Sequence, residues 1–297
     1  MKGLKQRLIT GSIIFAVFVG VLLLTLLIKD TNYNWVFFDV FVTILALFAS
    51  VEMCNAIGKK YPKPLLSIAL CTVVLGFAAF IVAQTAVKIG GITSFFCVML
   101  IMCLVAIVYS LCSKKIGTTN VVATMFVLVY PISALMYLLA INHLPSPYRA
   151  DTLLLLFAVA PLTDTFAFFV GSMLKGKKLC PKISPNKTIS GAIGGLIGGT
   201  VGGVVLYFVS LTAVGEFFGM GPLANGVGNC INFICMGILC SFFTQVGDLF
   251  ASYIKRMVGI KDYSNLLPGH GGIMDRIDGL ILAGIVVFLY TSILIAI

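Results

Sequence analysis

The sequence predicts an all-α polytopic membrane protein of about nine transmembrane helices with its N-terminus in the cytoplasm. Three observations predict it. Of the 297 residues 60% are hydrophobic, and Lys, Arg, Asp and Glu together number only 30. That is about a tenth of the chain, where a soluble domain carries roughly a quarter, too little polar surface to cover a water-soluble fold. The apolar residues gather in windows of the ~20 residues a helix needs to cross a bilayer core. Finally, the basic residues between those windows alternate in density along the chain.

The windows fall at 8–28, 35–57, 64–87, 91–112, 120–141, 152–174, 190–214, 228–254 and 279–297. The first follows Met1-Lys2-Gly3-Leu4-Lys5-Gln6-Arg7. Its run is too long for a signal-peptide core and shows no clear cleavage site, so it reads as a retained span. The second carries Asp39 and Glu52 near its ends, where acids read as snorkelling or structural. The third, fourth and fifth supply spans and little else. Within the sixth lies Asp164; an ionised carboxylate there costs a few kcal/mol or more, about 2.5–3.5 on insertion scales, which makes it a functional candidate. The seventh repeats Gly191, Gly195, Gly199 and Gly203 beside Gly194, Gly198 and Gly202. Such rows admit close approach by another helix or by a lipid. The eighth ends near Asp248, and the ninth follows an acid-rich loop.

Nine spans place the termini on opposite sides. Segments on the N-terminal side hold 17 Lys and Arg, whereas the opposite side holds only Lys29, Lys88 and Arg149. Basic residues are retained in the cytoplasm, so the N-terminus and the two longest basic loops are expected there. The net charge of +10 does not suggest nucleic acid, because no basic residues interleave with aromatics on a soluble face. An anionic leaflet or an anionic substrate is the expected partner. The nine cysteines contain no Cys-x-x-Cys pair and mostly lie in apolar runs, giving neither a disulfide framework nor a thiolate zinc site.

The chemistry concentrates between residues 247 and 279, which hold four of the ten acids and four of the 20 bases. Asp248, Ser252 and Lys255 share one face of a continuing helix, as do Asp275 and Asp278. Carboxylates converging near a membrane surface repel one another unless a cation neutralises them. All-oxygen ligands suit Mg²⁺, which takes one or two carboxylates plus substrate phosphates. Between the acids, Pro268-Gly269-His270-Gly271-Gly272 allows unusual backbone angles and a His contact to phosphate. Lys255, Arg256, Lys261 and Arg276 are further phosphate partners. The loop 175–191 adds Lys182, Ser184, Asn186, Lys187 and Thr188 as charge and hydroxyl contacts for a polyanion.

Ser252, Lys255-Arg256, Lys261-Asp262, His270-Gly271-Gly272, Asp275-Arg276 and Asp278 together resemble the signature of the phosphatidate cytidylyltransferase (CDP-diacylglycerol synthase) family. Upstream, Asp164-Thr165-Phe166-Ala167-Phe168 and Ser184-Pro185-Asn186-Lys187-Thr188 resemble other family motifs. Detailed likeness covers roughly 160–297; the N-terminal part is similar only in hydropathy. In one departure, Ser190 stands where the family usually has an acid.

The resemblance implies a nucleotidyltransferase that converts CTP and phosphatidate to CDP-diacylglycerol and pyrophosphate in phospholipid biosynthesis. It implies Mg²⁺, with K⁺ beside it, on Asp248 and Asp275, and Asp278 beside them. Lys255, Arg256, Lys261 and His270 are expected on the phosphates, with Asp164, Lys182, Ser184, Asn186, Lys187, Ser252 and Arg276 binding substrate. The expected setting is the inner (plasma) membrane of a bacterial cell, the site facing the cytoplasm, with a homodimer among the assemblies the resemblance implies. Residues 1–150 form an N-terminal set of about five spans, and 151–297 form the C-terminal catalytic region with two basic loops. Two other classes fit parts of the pattern: another CTP-using lipid transferase, and an ion or lipid transporter with Asp164 and Asp248 on its path.

Overall fold

A computed structural model of the protein describes residues 2–28, 35–87, 90–223 and 227–297, with side chains from residue 9 onward and Val227 excepted. Lys29 and Lys88, and the side chains of Lys2, Lys5 and Arg7, therefore lie outside the described residues. Among the described residues, nine helices are long and apolar enough to cross a membrane. They are α1 (Lys2–Leu27), α2 (Val36–Ile57), α3 (Leu66–Val87), α4 (Gly91–Cys112), α5 (Thr118–Asn142), α6 (Tyr148–Leu174), α7 (Ile189–Ser210), α8 (Val227–Met257) and α9 (Met274–Ala296). The expected spans are all present.

Three helices begin well before their hydropathy windows, α1 at Lys2 being one of them. Helix α6 opens at Tyr148 and takes in Arg149 and Asp151; α9 opens at Met274 and takes in Asp275 and Asp278. A hydropathy window stops at charged residues, whereas an acid in the first helical turn is favourable against the N-terminal end of the helix dipole. The basic loop after α6 is not irregular either. It forms a two-stranded antiparallel ribbon, β1 (Lys178–Cys180) and β2 (Ser184–Thr188), pairing Lys178 with Thr188 and Cys180 with Ser184.

The chain divides into two compact units. One comprises Met1–Val21, Val36–Ala140 and Lys255–Arg276. Its α3 and α4 meet through Phe77 and Phe95, ring centroids 5.9 Å apart. Gly76 permits this approach, since a Cβ there would stand 2.9 Å from the Phe95 ring. A second cluster joins Ile68, Ala106 and Val121 under Leu65, Met102 and Met125. Pro131 interrupts α5, where Tyr130 leaves the helical region at φ −137°, because proline lacks the N–H that would continue the ladder.

The other unit comprises Leu22–Trp35, Ile141–Ile254 and Ile277–Ile297. Its core is the glycine face of α7. A Cβ on Gly194 would reach 2.5 Å from Val170, and one on Gly195 would stand 2.9 Å from the Thr163 carbonyl, both on α6. A Cβ on Gly203 would meet the Phe233 carbonyl of α8 at 2.6 Å. The glycine rows thus serve close helix packing on two sides. Buried polar pairs add direction to this packing: Thr152 and Thr291 hydroxyls lie 3.1 Å apart, and the Tyr290 hydroxyl donates to Asn232 Oδ1 at 2.9 Å.

Candidate active site

In the second unit Asp164, Asn186, Lys187 and Asp248, four of the sequence-predicted site residues, line a cavity of about 750 Å³. Helix α6 contributes Asp164, Phe168, Gly171 and Lys175, spaced i, i+4, i+7 and i+11 and hence on one stripe. Lys175 ends that helix in the left-handed region at φ 44°, its N–H donating to the Gly171 carbonyl at 3.2 Å. The resulting turn sends the chain into the ribbon, from which Lys178, Asn186, Lys187 and Thr188 line the cavity. Thr188 caps α7, its Oγ1 accepting from Gly191 N–H at 3.1 Å. Ser190, at the family's usual acid position, accepts from Gly176 N–H at 3.3 Å and donates to Thr188 Oγ1 at 3.2 Å. It therefore ties the end of the α6 turn to the start of α7.

Helix α8 closes the cavity with Gln245 and Asp248. Asp248 Oδ2 stands 2.5 Å from Lys187 Nζ, with both side chains about a third exposed at 32% and 27%. Ser252 Oγ donates to Asp248 Oδ1 at 3.4 Å, the contact expected from their i, i+4 spacing. So Asp164, Asn186, Lys187, Asp248 and Ser252 come together as a group. Lys182 and Ser184 do not line the cavity: Lys182 is exposed at the ribbon turn, and Ser184 is half-buried in β2. Lys175, Lys178 and Gln245 line it without having stood out in the sequence. Their signal is position alone, at a helix end, in a basic strand and one turn before Asp248. Asp278, near the start of α9, accepts from Gly279 N–H at 2.9 Å.

The first unit holds the rest of the signature. Asp275 is buried, and Lys255 Nζ donates to its Oδ1 at 2.7 Å, with side-chain exposures of 10% for Lys255 and 3% for Asp275. Its Oδ2 accepts from Tyr263 N–H and Gly272 N–H, both at 2.9 Å. The Lys255 ammonium also lies 5.4 Å from the Tyr263 ring centroid, within cation–π range. Between Tyr263 and Gly272 the chain makes a tight turn, Leu267 N–H donating to Gly271 O and His270 N–H to Leu267 O, each at 2.9 Å. Gly269 and Gly271 take φ of 78° and 82°, a backbone that L side chains rarely adopt. His270 Nδ1 is buried without a hydrogen-bond partner among the described residues, leaving its hydrogen-bonding capacity unused. Lys261, Arg256 and Arg276 are exposed, and Arg256 donates to the Ile260 carbonyl at 3.3 Å.

Glu52, in the same unit, takes the structural one of its two expected roles. Read as snorkelling or structural, it is buried at 5% exposure and accepts from Ser264 Oγ at 2.6 Å, Ile273 N–H at 3.0 Å and Met274 N–H at 2.8 Å. Its role is structural in the first instance.

No group of three His, Cys, Asp or Glu suited to a metal occurs among the described residues. The donor chemistry nevertheless suits a hard cation that is shared with a substrate. Among the described residues Asp248 Oδ1 has one long contact, from Ser252, and Asp275 Oδ1 has Lys255, so each keeps a lone pair for an oxygen-liganded ion.

Among the described residues, nine helices long and apolar enough to cross a membrane thus accompany a cavity edged by lysines and acids and a buried carboxylate held in a glycine-rich turn. The chain belongs to the cytidylyltransferase family, whose profile matches residues 5–294. It is 39% identical over 147 residues to the phosphatidate cytidylyltransferase of Brucella abortus biovar 1 (strain 9-941), covering 50% of this chain and 49% of that protein. It is also 34% identical over 137 residues to the enzyme of that name from Rickettsia conorii (strain ATCC VR-613 / Malish 7), covering 46% and 56%. With that of Helicobacter pylori (strain ATCC 700392 / 26695) it shares 37% over 134 residues, covering 45% and 44%. The chain thus spans about half the length of the curated relatives it matches.

Proposed function

We propose that this protein transfers the cytidylyl group of CTP to phosphatidate, giving CDP-diacylglycerol and pyrophosphate. The observation that carries the reading is the cavity lined by Lys175, Lys178, Lys187 and Asp248, among helices long and apolar enough to cross a membrane. A lipid and a water-soluble nucleotide meet only at a bilayer interface, and such a cleft offers both cationic and apolar walls. Family membership and the names of the relatives support the same chemistry.

A phosphatidate oxygen attacks the α-phosphorus of CTP, a new P–O bond forms, and the bond to the β-phosphate breaks, releasing pyrophosphate. The nucleophile is a phosphate monoester with a second pKa of about 6, so near pH 7 it is already largely dianionic and needs little general-base help. The obstacle is the approach of two polyanions. Lysines on the cavity wall lower that repulsion, and Lys187 is freed from Asp248 to the extent that an incoming phosphate replaces its partner. Asn186 and Ser252 supply neutral contacts. In the other unit Asp275 holds Lys255, while His270, Arg256, Lys261 and Arg276 add hydrogen bonds and charge toward phosphate.

The resemblance assigns Mg²⁺, with K⁺, to the carboxylates Asp248 and Asp275 and gives Asp278 a supporting part, and each of these groups would be a suitable oxygen ligand for a hard cation. A divalent ion there supplies charge neutralisation on phosphate oxygens and at the leaving pyrophosphate. A homodimer rests on the resemblance alone. Purified protein in mixed micelles is expected to release pyrophosphate from CTP only when phosphatidate and Mg²⁺ are both present. Release independent of phosphatidate, or none across several divalent ions, would overturn the reading.

The site is proposed to face the cytoplasm of a bacterial inner membrane, supported by the 17-to-3 distribution of Lys and Arg. Topology reporters in the loops near 58–63 and 113–119 are expected to score cytoplasmic. Export of either reporter contradicts that orientation.

A further inference from the structure

Glu52 lies in α2, more than two hundred residues before Ser264, Ile273 and Met274, yet these three donors to it all come from the signature's own loop. Two of them, Ile273 N–H and Met274 N–H, belong to the opening of α9. Amides there have no partner within the helix, and a carboxylate satisfies them and suits the positive end of the helix dipole. The third donor, Ser264 Oγ, follows Tyr263, whose own N–H donates to Asp275.

The two carboxylates therefore grip the same two stretches. At 263–264, Asp275 takes the Tyr263 amide and Glu52 takes the Ser264 hydroxyl. At 272–274, Asp275 takes the Gly272 amide while Glu52 takes the next two. Each glycine of His270-Gly271-Gly272 then has its own reason. A Cβ on Gly271, besides requiring φ of 82°, would stand 2.9 Å from Asp275 Oδ2. A Cβ on Gly272 would stand 2.5 Å from Glu52 Oε2 and 2.6 Å from Oε1. The second glycine of the motif is thus needed because Glu52 is there.

We propose that Glu52 is a positioning residue for the transfer reaction. It holds the 263–274 segment so that Asp275 keeps one fixed orientation and, through it, so does the Lys255 ammonium. The proposal rests on the reading of Asp275 as part of the phosphate-handling site. It assigns to an N-terminal span a part in catalysis beyond membrane anchoring.

The test compares full-length wild type, Glu52→Gln and Glu52→Asp in micelles by steady-state kinetics and by backbone hydrogen exchange. Glu52→Gln keeps the shape but turns one acceptor into a donor facing N–H groups. It is expected to lower kcat by about tenfold to a hundredfold, as loss of an outer partner typically does. The KM values for CTP and phosphatidate should stay within about threefold, since no substrate contact is removed. Exchange should rise within 263–274 and remain at wild-type rates in α3 and α4. Glu52→Asp, which keeps the carboxylate, should recover part of the lost kcat. Wild-type kcat and exchange in Glu52→Gln would overturn the proposal, as would loosening spread evenly over α2, α3 and α4, which marks a general stabilising role. If the wild type itself releases no pyrophosphate, the function reading fails while the exchange comparison still decides whether Glu52 holds the loop.

Discussion

Asp275→Asn is expected to lower the proposed cytidylyl transfer by about a hundredfold, the upper end of what loss of a group supporting a site costs. The cause is specific. Lys255, 10% exposed at its side chain, loses its anionic partner, and Asn presents a donor where the ammonium needs an acceptor. Breaking a buried pair from one side costs about 3–5 kcal/mol, because the remaining charge is left uncompensated. A lower thermal midpoint should accompany the lost turnover, so stability and chemistry must be separated. The double variant Lys255→Met/Asp275→Asn does so. Asn Oδ1 still accepts from Tyr263 and Gly272, and no stranded cation remains, so much of the midpoint should return. Turnover should not. Recovery of activity in the double variant would show that Asp275 acts through folding alone.

Gly199→Leu is the second large expectation, and it concerns folding. A Cβ at Gly199 would overlap Ser241 Oγ and Thr163 Oγ1 and lie 2.9 Å from Ser241 Cβ. Thr163 and Ser241 are both fully buried, so neither can turn away into lipid. Overpacking of this kind costs about 1–3 kcal/mol and more where rigid neighbours cannot shift. A leucine wedged between α6, α7 and α8 belongs at the upper end. The variant should express poorly or unfold well below wild type in detergent, whereas Gly20→Ala, with no atom within 4 Å of its added Cβ, should match or exceed wild type. Equal thermal midpoints for the two would contradict the packing described for α7.

The spans were legible in the sequence because crossing a bilayer leaves a strong signal in hydropathy alone. Their polar ends were not. Tyr148 and Met274 begin helices whose first turns carry Asp151 and Asp275, residues that a hydropathy window rejects and a helix N-terminus welcomes. The ribbon at 178–188 was hidden for a different reason. Its strands are short, one contains Pro185, and neither alternates apolar with polar residues, so it reads as a basic loop.

At the site, pairs close in sequence were visible. Asp248 and Ser252 follow from helical spacing, and the glycines around His270 announce an unusual turn. Lys187 with Asp248 and Glu52 with Ser264 were not visible, since spatial contacts between distant segments leave no mark on one chain's periodicity. Glu52 carried the only hint, an acid inside an apolar run, and that hint does not name its partner.

The most direct test of the central claim follows two labels from CTP. CTP radiolabelled at the α-phosphorus, and separately at the γ-phosphorus, is incubated with phosphatidate, Mg²⁺ and the purified protein in micelles. The α label is expected in a chloroform-soluble lipid and the γ label in pyrophosphate, in equal amounts and at equal rates. Transfer of the γ label to lipid, or release of both labels into water with none in lipid, would contradict cytidylyl transfer to phosphatidate.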